Sequence, residues 1–189
     1  LSKYNYNQAH LFIEKISRNI DFSGNHNKEI IQSLFFYAIE YKNITLFLKT
    51  AINGANVNQR NRDGISPLAM AVKCKNIDAI NYLVENRANI NEVGKNGSSI
   101  LISSIINGEP EIAISLISPK SDLNSVNNHG DTALHWAAEK GYIEIAQALL
   151  NAKANPNIRS KLMRTPLHCA IRKGHIEIVK SLLIAGANP

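Results

Sequence analysis

The amino-acid sequence predicts an all-α solenoid: stacked helix–turn–helix units with projecting hairpin loops. Three observations predict it. A motif of eight residues returns at a constant step of 33 residues. Each copy is followed by a glycine or a lysine and then by an apolar segment of helical period. A second short motif, Ala-Asn-x-Asn or a near variant, closes each unit in the same register. Self-similarity at a fixed step marks an array in which each unit buries its apolar side only against its neighbours.

The first motif reads Gln32–Ile39, Ile65–Val72, Ser98–Ile105, Asp131–Ala138 and Arg164–Ile171. The second reads Ala55–Asn58, Ala88–Asn91, Ser121–Asn124 and Ala154–Asn157, and the chain stops at Pro189 inside a further copy. The units are therefore expected at 28–60, 61–93, 94–126, 127–159 and 160–189. Residues 1–27 lack both motifs. Gln8 to Arg18 reads as one amphipathic helix, with Leu11, Phe12, Ile13 and Ile16 apolar, and is expected to cap the open side of the first unit.

Within a unit each element has a local cause. Thr132 and Thr165 stand at a helix N-cap, and Pro166 at the first helical position, where its missing N–H costs nothing. Ala137, Ala138 and Ala170 let neighbouring first helices approach closely. Gly108, Gly141 and Gly174 then permit a left-handed turn. The second helix carries Ile143, Ile145, Ala146, Leu149 and Leu150 at helical spacing, and again Ile176, Ile178, Val179, Leu182 and Leu183.

Departures from the pattern predict where the array is weak. Lys42 and Lys75 replace the mid-unit glycine, and Met163 replaces the loop glycine of the fifth unit. Arg87, Lys120 and Lys153 stand where Gly54 and Gly186 supply a left-handed residue. A non-glycine residue there costs on the order of 1 kcal/mol. Pro119, late in the expected second helix of the third unit, makes that unit the weakest.

The motifs Thr-Pro-Leu-His-x-Ala and Gly-Ala-Asn-x-Asn, in register over residues 28–189, resemble the ankyrin repeat. The resemblance implies two antiparallel helices per unit, hairpins at roughly a right angle to them, and partner binding at loop tips and along the exposed sides of the first helices, which line a concave face. Register assigns those positions to Arg60, Arg62, Asp63, Ile65 and Lys73 in the second unit, and to Val93, Lys95, Asn96, Ser98 and Asn107 in the third. They fall on Val126, Asn128, His129, Asp131, Glu139 and Lys140 in the fourth, and on Arg159, Lys161, Leu162, Arg164, Arg172 and Lys173 in the fifth. Ile65 and Leu162 are apolar where solvent is expected, which makes them candidate anchors. The resemblance also implies that His135 and His168 tie a first helix to the neighbouring loop. Asn91, Asn124 and Asn157 resemble targets of asparaginyl hydroxylases, with Leu83, Leu116 and Leu149 eight residues upstream; the alternative is that they only brace the hairpins.

Chemistry beyond binding is not expected. Asp131, Glu139 and Glu144 read as solvated edges rather than an acid–base pair, and no phosphate loop or nucleophile motif is present. His135 with Glu139 lacks the further ligands that a zinc site needs. No enzyme, cofactor or metal is expected. Trp136 is read as packing between units rather than as an exposed anchor, and Cys74 and Cys169 as unpaired buried thiols of a reducing compartment. The net charge of +6 suits a partner protein with an acidic surface, nucleic acid or an anionic membrane alike, and of these the acidic protein is the expected partner. Nucleic acid would call for aromatic residues interleaved with the bases, and it is not the expected partner.

The expected function is thus a protein-interaction scaffold, cytoplasmic or in a host cytosol. The alternative is a targeting module of a larger multidomain enzyme or secreted bacterial effector. A start at Leu1 and a stop within a motif suggest a segment of a longer protein, or a chain trimmed by processing, and the array is expected to continue or be capped beyond Pro189. If the fifth unit's outer side is uncovered, a monomer or weak self-association through that unit is expected.

Overall fold

The computed structural model describes residues 15, 28–94 and 96–189. The expected cap helix, Lys15 apart, and Lys95 lie outside the described residues. Ten helices occur among the described residues, in five pairs: α1 (Lys28–Glu40) with α2 (Ile44–Ile52), α3 (Pro67–Lys73) with α4 (Ile77–Glu85), α5 (Ile100–Ile106) with α6 (Pro110–Leu116), α7 (Ala133–Lys140) with α8 (Ile143–Asn151), and α9 (Pro166–Lys173) with α10 (Ile176–Ile184). The two helices of each pair pack together, and second helices pack on second helices along the whole array.

Leucine at one register position fills the inner layer: Leu68, Leu101, Leu134 and Leu167 are all buried, as are Leu83, Leu116, Leu149 and Leu182 in the second helices. The first unit solves the same problem with aromatics. Phe35 stacks on Phe47 at 5.0 Å, and Phe47 meets Tyr82 edge-on at 5.1 Å. Thr50 stands in the leucine position and is fully buried, its hydroxyl donating to the Leu46 and Phe47 carbonyls.

The hairpins are closed identically. Asn61, Gly94, Asn127 and Ser160 each donate their N–H to the carbonyl four residues on, at 2.8–3.0 Å. Successive tips also touch, with Asn128 N–H on the Asn96 carbonyl and Lys161 N–H on the His129 carbonyl. Gly130 is required by this contact: its φ is +77° and an added Cβ would lie 2.7 Å from the Lys161 nitrogen. At the N-terminal end the buried Gln32 amide bonds both the N–H and the carbonyl of Asn56.

Lys42, Lys75, Arg87, Lys153 and Met163 are left-handed, with φ between 52° and 70°. Lys120 is not, which corrects the expectation drawn from register. The cause is Pro119. Its ring clashes with a helical residue before it and with the carbonyl four residues back. The helix α6 therefore stops at Leu116, and Pro119 lies in the following turn rather than inside the helix. The Ser121 hydroxyl then donates to the Leu116 carbonyl in place of a left-handed cap.

This difference predicts opposite outcomes for one substitution. Arg87→Gly and Lys153→Gly should raise the urea midpoint, by at most about 1 kcal/mol of relieved strain less glycine's gain in unfolded-state entropy. Lys120→Gly should lower it by about 0.5–1 kcal/mol, since it adds chain freedom and relieves nothing.

Candidate partner-binding site

The loop tips and first-helix edges of the fourth and fifth units are fixed from within. The Thr132 side chain caps α7 by accepting from His135 N–H, and His135 answers at the N-cap backbone; Thr165 and His168 repeat this box in α9. The His135 Nδ1 accepts from Thr132 N–H at 3.1 Å and from the Thr132 hydroxyl at 2.8 Å. The proton is thereby assigned to Nε2, which donates to the Arg164 carbonyl at 3.0 Å. One buried ring thus holds the loop that carries Lys161, Leu162 and Arg164. Burial keeps its imidazole below the ordinary value of 6.5, against the opposing pull of the Arg164 carbonyl and the Asp131 carboxylate.

Along the first-helix edge, Glu139 Oε2 accepts from Arg172 at 2.6 Å, and its Oε1 lies 3.1 Å from Lys173 Nζ. Burial pushes the Glu139 carboxyl up, but the two bases outweigh it and hold it below the usual 4.5. Asp131 and Arg164 occupy one register position in adjacent units and make no ion pair with each other. Between them opens a cavity of about 150 Å³, lined also by His135, Trp136, Glu139, Ser160, Leu162, Cys169 and Arg172. Trp136 is half-buried in this wall and packs on the core, which agrees with packing between units yet leaves one side of the ring at the cavity. Its Nε1–H is buried without an acceptor. Leu162, at the rim, is 70% exposed.

The other register positions divide. Arg62, Lys73, His129, Lys140, Arg159 and Lys161 are exposed. Arg60 is exposed but spent within the chain, donating to the Gly64 carbonyl at 2.7 Å and pairing with Glu92 at 3.1 Å. Ile65 packs half-buried against the core, so packing accounts for its apolar character and it does not stand out as an anchor. Arg60, Arg62 and Asp63 line a separate groove of about 550 Å³ against Gln32 and Phe36, which no motif had indicated.

The hairpin asparagines are engaged. Asn91 donates to the Lys120 carbonyl at 3.1 Å and accepts from Asp122 N–H at 2.9 Å. Asn157 does the same with Gly186 and Asn188, and Asn124 accepts from Asn155 N–H. An enzyme acting on these side chains would meet them locked in place until the hairpin opens. Cys169 is buried and Cys74 half-buried, both unpaired, and burial pushes both thiols up. Among the described residues no group of three or more His, Cys, Asp or Glu side chains is placed to hold a metal, and no helix is long and apolar enough to cross a membrane.

The ankyrin repeats (3 copies) family model matches residues 25–127 and 115–189. A crystal structure of an ankyrin repeat domain from Acinetobacter baumannii is similar, with 30% sequence identity, 82% of each chain covered and a TM-score of 0.71. A search of curated proteins finds no match.

The His135 geometry sets a pH dependence. Its folded value lies below the unfolded one, so its contribution is complete above about pH 6.5 and is lost as pH falls through the folded value. His135→Gln should cost about 1–3 kcal/mol at neutral pH through unpaired backbone groups. Between about pH 7 and pH 5 its stability should fall less than the wild type's, as read from urea midpoints. Equal losses would mean that the ring is not held neutral.

Proposed function

Because the chain belongs to the ankyrin repeat family, whose repeats mediate protein–protein interaction, we propose that it is an interaction scaffold that takes its partner on the concave face and loop tips. One observation carries this reading. Nearly all buried polar groups of the framework are paired within the array, whereas Arg159, Lys161 and Arg164 project without an ion pair near an opening walled in part by Trp136 and Leu162. Unpaired exposed bases steer an acidic surface toward the face that bears them and suppress basic partners. The apolar patch among them supplies the desolvated contact on which affinity depends.

Cross-linking the chain to bound proteins from its native cell, followed by mapping of the linked residues, tests the location. Lys161→Glu combined with Arg164→Glu should then weaken the captured partner at least about tenfold and steepen no unfolding transition, since neither side chain is paired. Lys180→Glu, on a second helix and in an exposed pair with Glu177, should leave affinity unchanged. Binding that survives the double reversal and is lost with Lys180→Glu would place the interface on the opposite face.

A further inference from the structure

We infer that the cavity between the fourth and fifth units receives a single phenyl side chain, presented by an acidic peptide segment of the partner. This rests on the reading of the loop tips and first-helix edges as the binding face, and it adds the chemistry of what docks there.

Size comes first. A cavity of about 150 Å³ is well short of the roughly 300–1,000 Å³ of cofactor and drug-sized sites. It is the size that admits one benzene ring. The walls are mixed: Asp131, His135, Glu139, Ser160, Arg164 and Arg172 bring polar groups, and Trp136, Leu162 and Cys169 form the apolar part. Trp136 offers a ring that packing alone holds, because its N–H has no acceptor, and Leu162 stands 70% exposed at the rim. No other two adjacent units combine these: the position of Trp136 holds Tyr37, Met70 and Ser103 where the next unit's counterpart of Leu162 is Asp63, Asn96 and His129.

Charge selects the flanks. Arg164 and Arg172 sit at the cavity, and guanidinium groups there favour an aromatic occupant over an aliphatic one through its ring face. Arg172 shares Glu139 with Lys173, so two cations stand on one carboxylate. Arg159, Lys161 and Arg164 have no ion pair, and Asp131 is the only other acid lining the opening. The lining itself is balanced, Arg164 and Arg172 against Asp131 and Glu139, and the excess positive charge comes from Arg159, Lys161 and Lys173 around it, which carboxylates on either side of the inserted ring complement. The sole tryptophan of the chain forms one wall, so occupation reports itself in the fluorescence of the unmodified protein.

The test titrates an N-acetylated, C-amidated Asp-Glu-Phe-Glu-Asp peptide into the full chain while following Trp136 emission and backbone amide shifts. A saturable change in emission is expected. Replacing the phenylalanine by serine, or the acids by lysines, should weaken binding at least about tenfold. Leu162→Ser and Arg164→Gln in the protein should each do the same, and neither disturbs the fold, since both side chains are exposed. No change up to about 1 mM, the weak end of specific association, overturns the proposal. So does equal affinity for the three peptides. Shifts confined to Arg62 and His129 with the Trp136 indole unmoved overturn the cavity and leave the broader binding face standing. Shifts confined to the outer surfaces of α8 and α10 overturn both.

Discussion

The carboxamides of Asn58, Asn91 and Asn157 span the gap between one hairpin and the next, each donating to a carbonyl 29 residues ahead and accepting from an N–H 31 residues ahead. The spacing of the array follows from these bridges. Each uses two hydrogen bonds worth about 1 kcal/mol apiece, so their stabilising effect is modest. Their geometric effect is larger. A bridge of fixed length admits no insertion between units, and every side chain of a unit is thereby placed in register with its counterpart in the next. The His135 bond to the Arg164 carbonyl works alongside them on the first-helix side. It binds the fourth unit's helix to the fifth unit's loop, where the asparagines bind hairpin to hairpin. In the first unit a different residue type takes part: Gln32, projecting from a helix, accepts from Asn56 N–H, the counterpart of the Asn89 and Asp122 N–H groups, and donates to the Asn56 carbonyl.

Strain is distributed by the same logic. Where the second helix runs full length, its end must turn left-handed, and Arg87 and Lys153 accept that conformation without the benefit of glycine. Where Pro119 ends the helix early, the chain leaves by serine-to-backbone bonds and Lys120 escapes the penalty. The third unit therefore exchanges backbone strain for a shorter helix. Its first helix, Ile-Leu-Ile-Ser-Ser-Ile-Ile, is built from residues of mediocre helix propensity, and it is held by burial of Leu101, Ile102 and Ile105 rather than by local preference. Tertiary packing overrides propensity there.

Most of the framework was legible in the residues, because what sets it is local and repeated. The step of 33, the serine and threonine caps, the turn glycines of the third to fifth units and the leucine layer each rest on a short-range preference at one register position. What escaped was context. Lys120 was assigned by register, and a proline one residue away cancelled the register's consequence. Gln32 opens the first copy of the motif, but the motif does not indicate its role, which depends on the distance from α1 to the first hairpin. Ile65 and Leu162 were indistinguishable as letters, both apolar at exposed register positions. Only the surrounding packing separates them, Ile65 turned against the core and Leu162 standing in solvent. The cavity lies between units, so no motif within one unit could reveal it. The one sequence signal for it was the pairing of Trp136 in one unit with Leu162 in the next, a combination that no other two adjacent units present.

The separation of the paired framework from the exposed bases of the fifth unit has an electrostatic consequence. Within the array, buried donors and acceptors are paired almost without exception, and those bonds are indifferent to salt. At the fifth unit the unpaired bases stand in water, where their field is screened over about 10 Å at 0.1 M salt. Arg172 differs from its neighbours: with Lys173 it is anchored on Glu139, a carboxylate that is itself shielded, with 22% of its side chain exposed. Such a clasp resists screening more than an exposed pair does. Stability and the field of the fifth unit's bases therefore answer to different variables. Ionic strength acts on Arg159, Lys161 and Arg164, which contribute little to the fold. Acid acts on His135 and Glu139, which hold the loop and helix edge from which those bases project. A fold tied together by short-range bonds can thus carry an excess of like charge on one face, because the cohesion of that face does not depend on neutralising it.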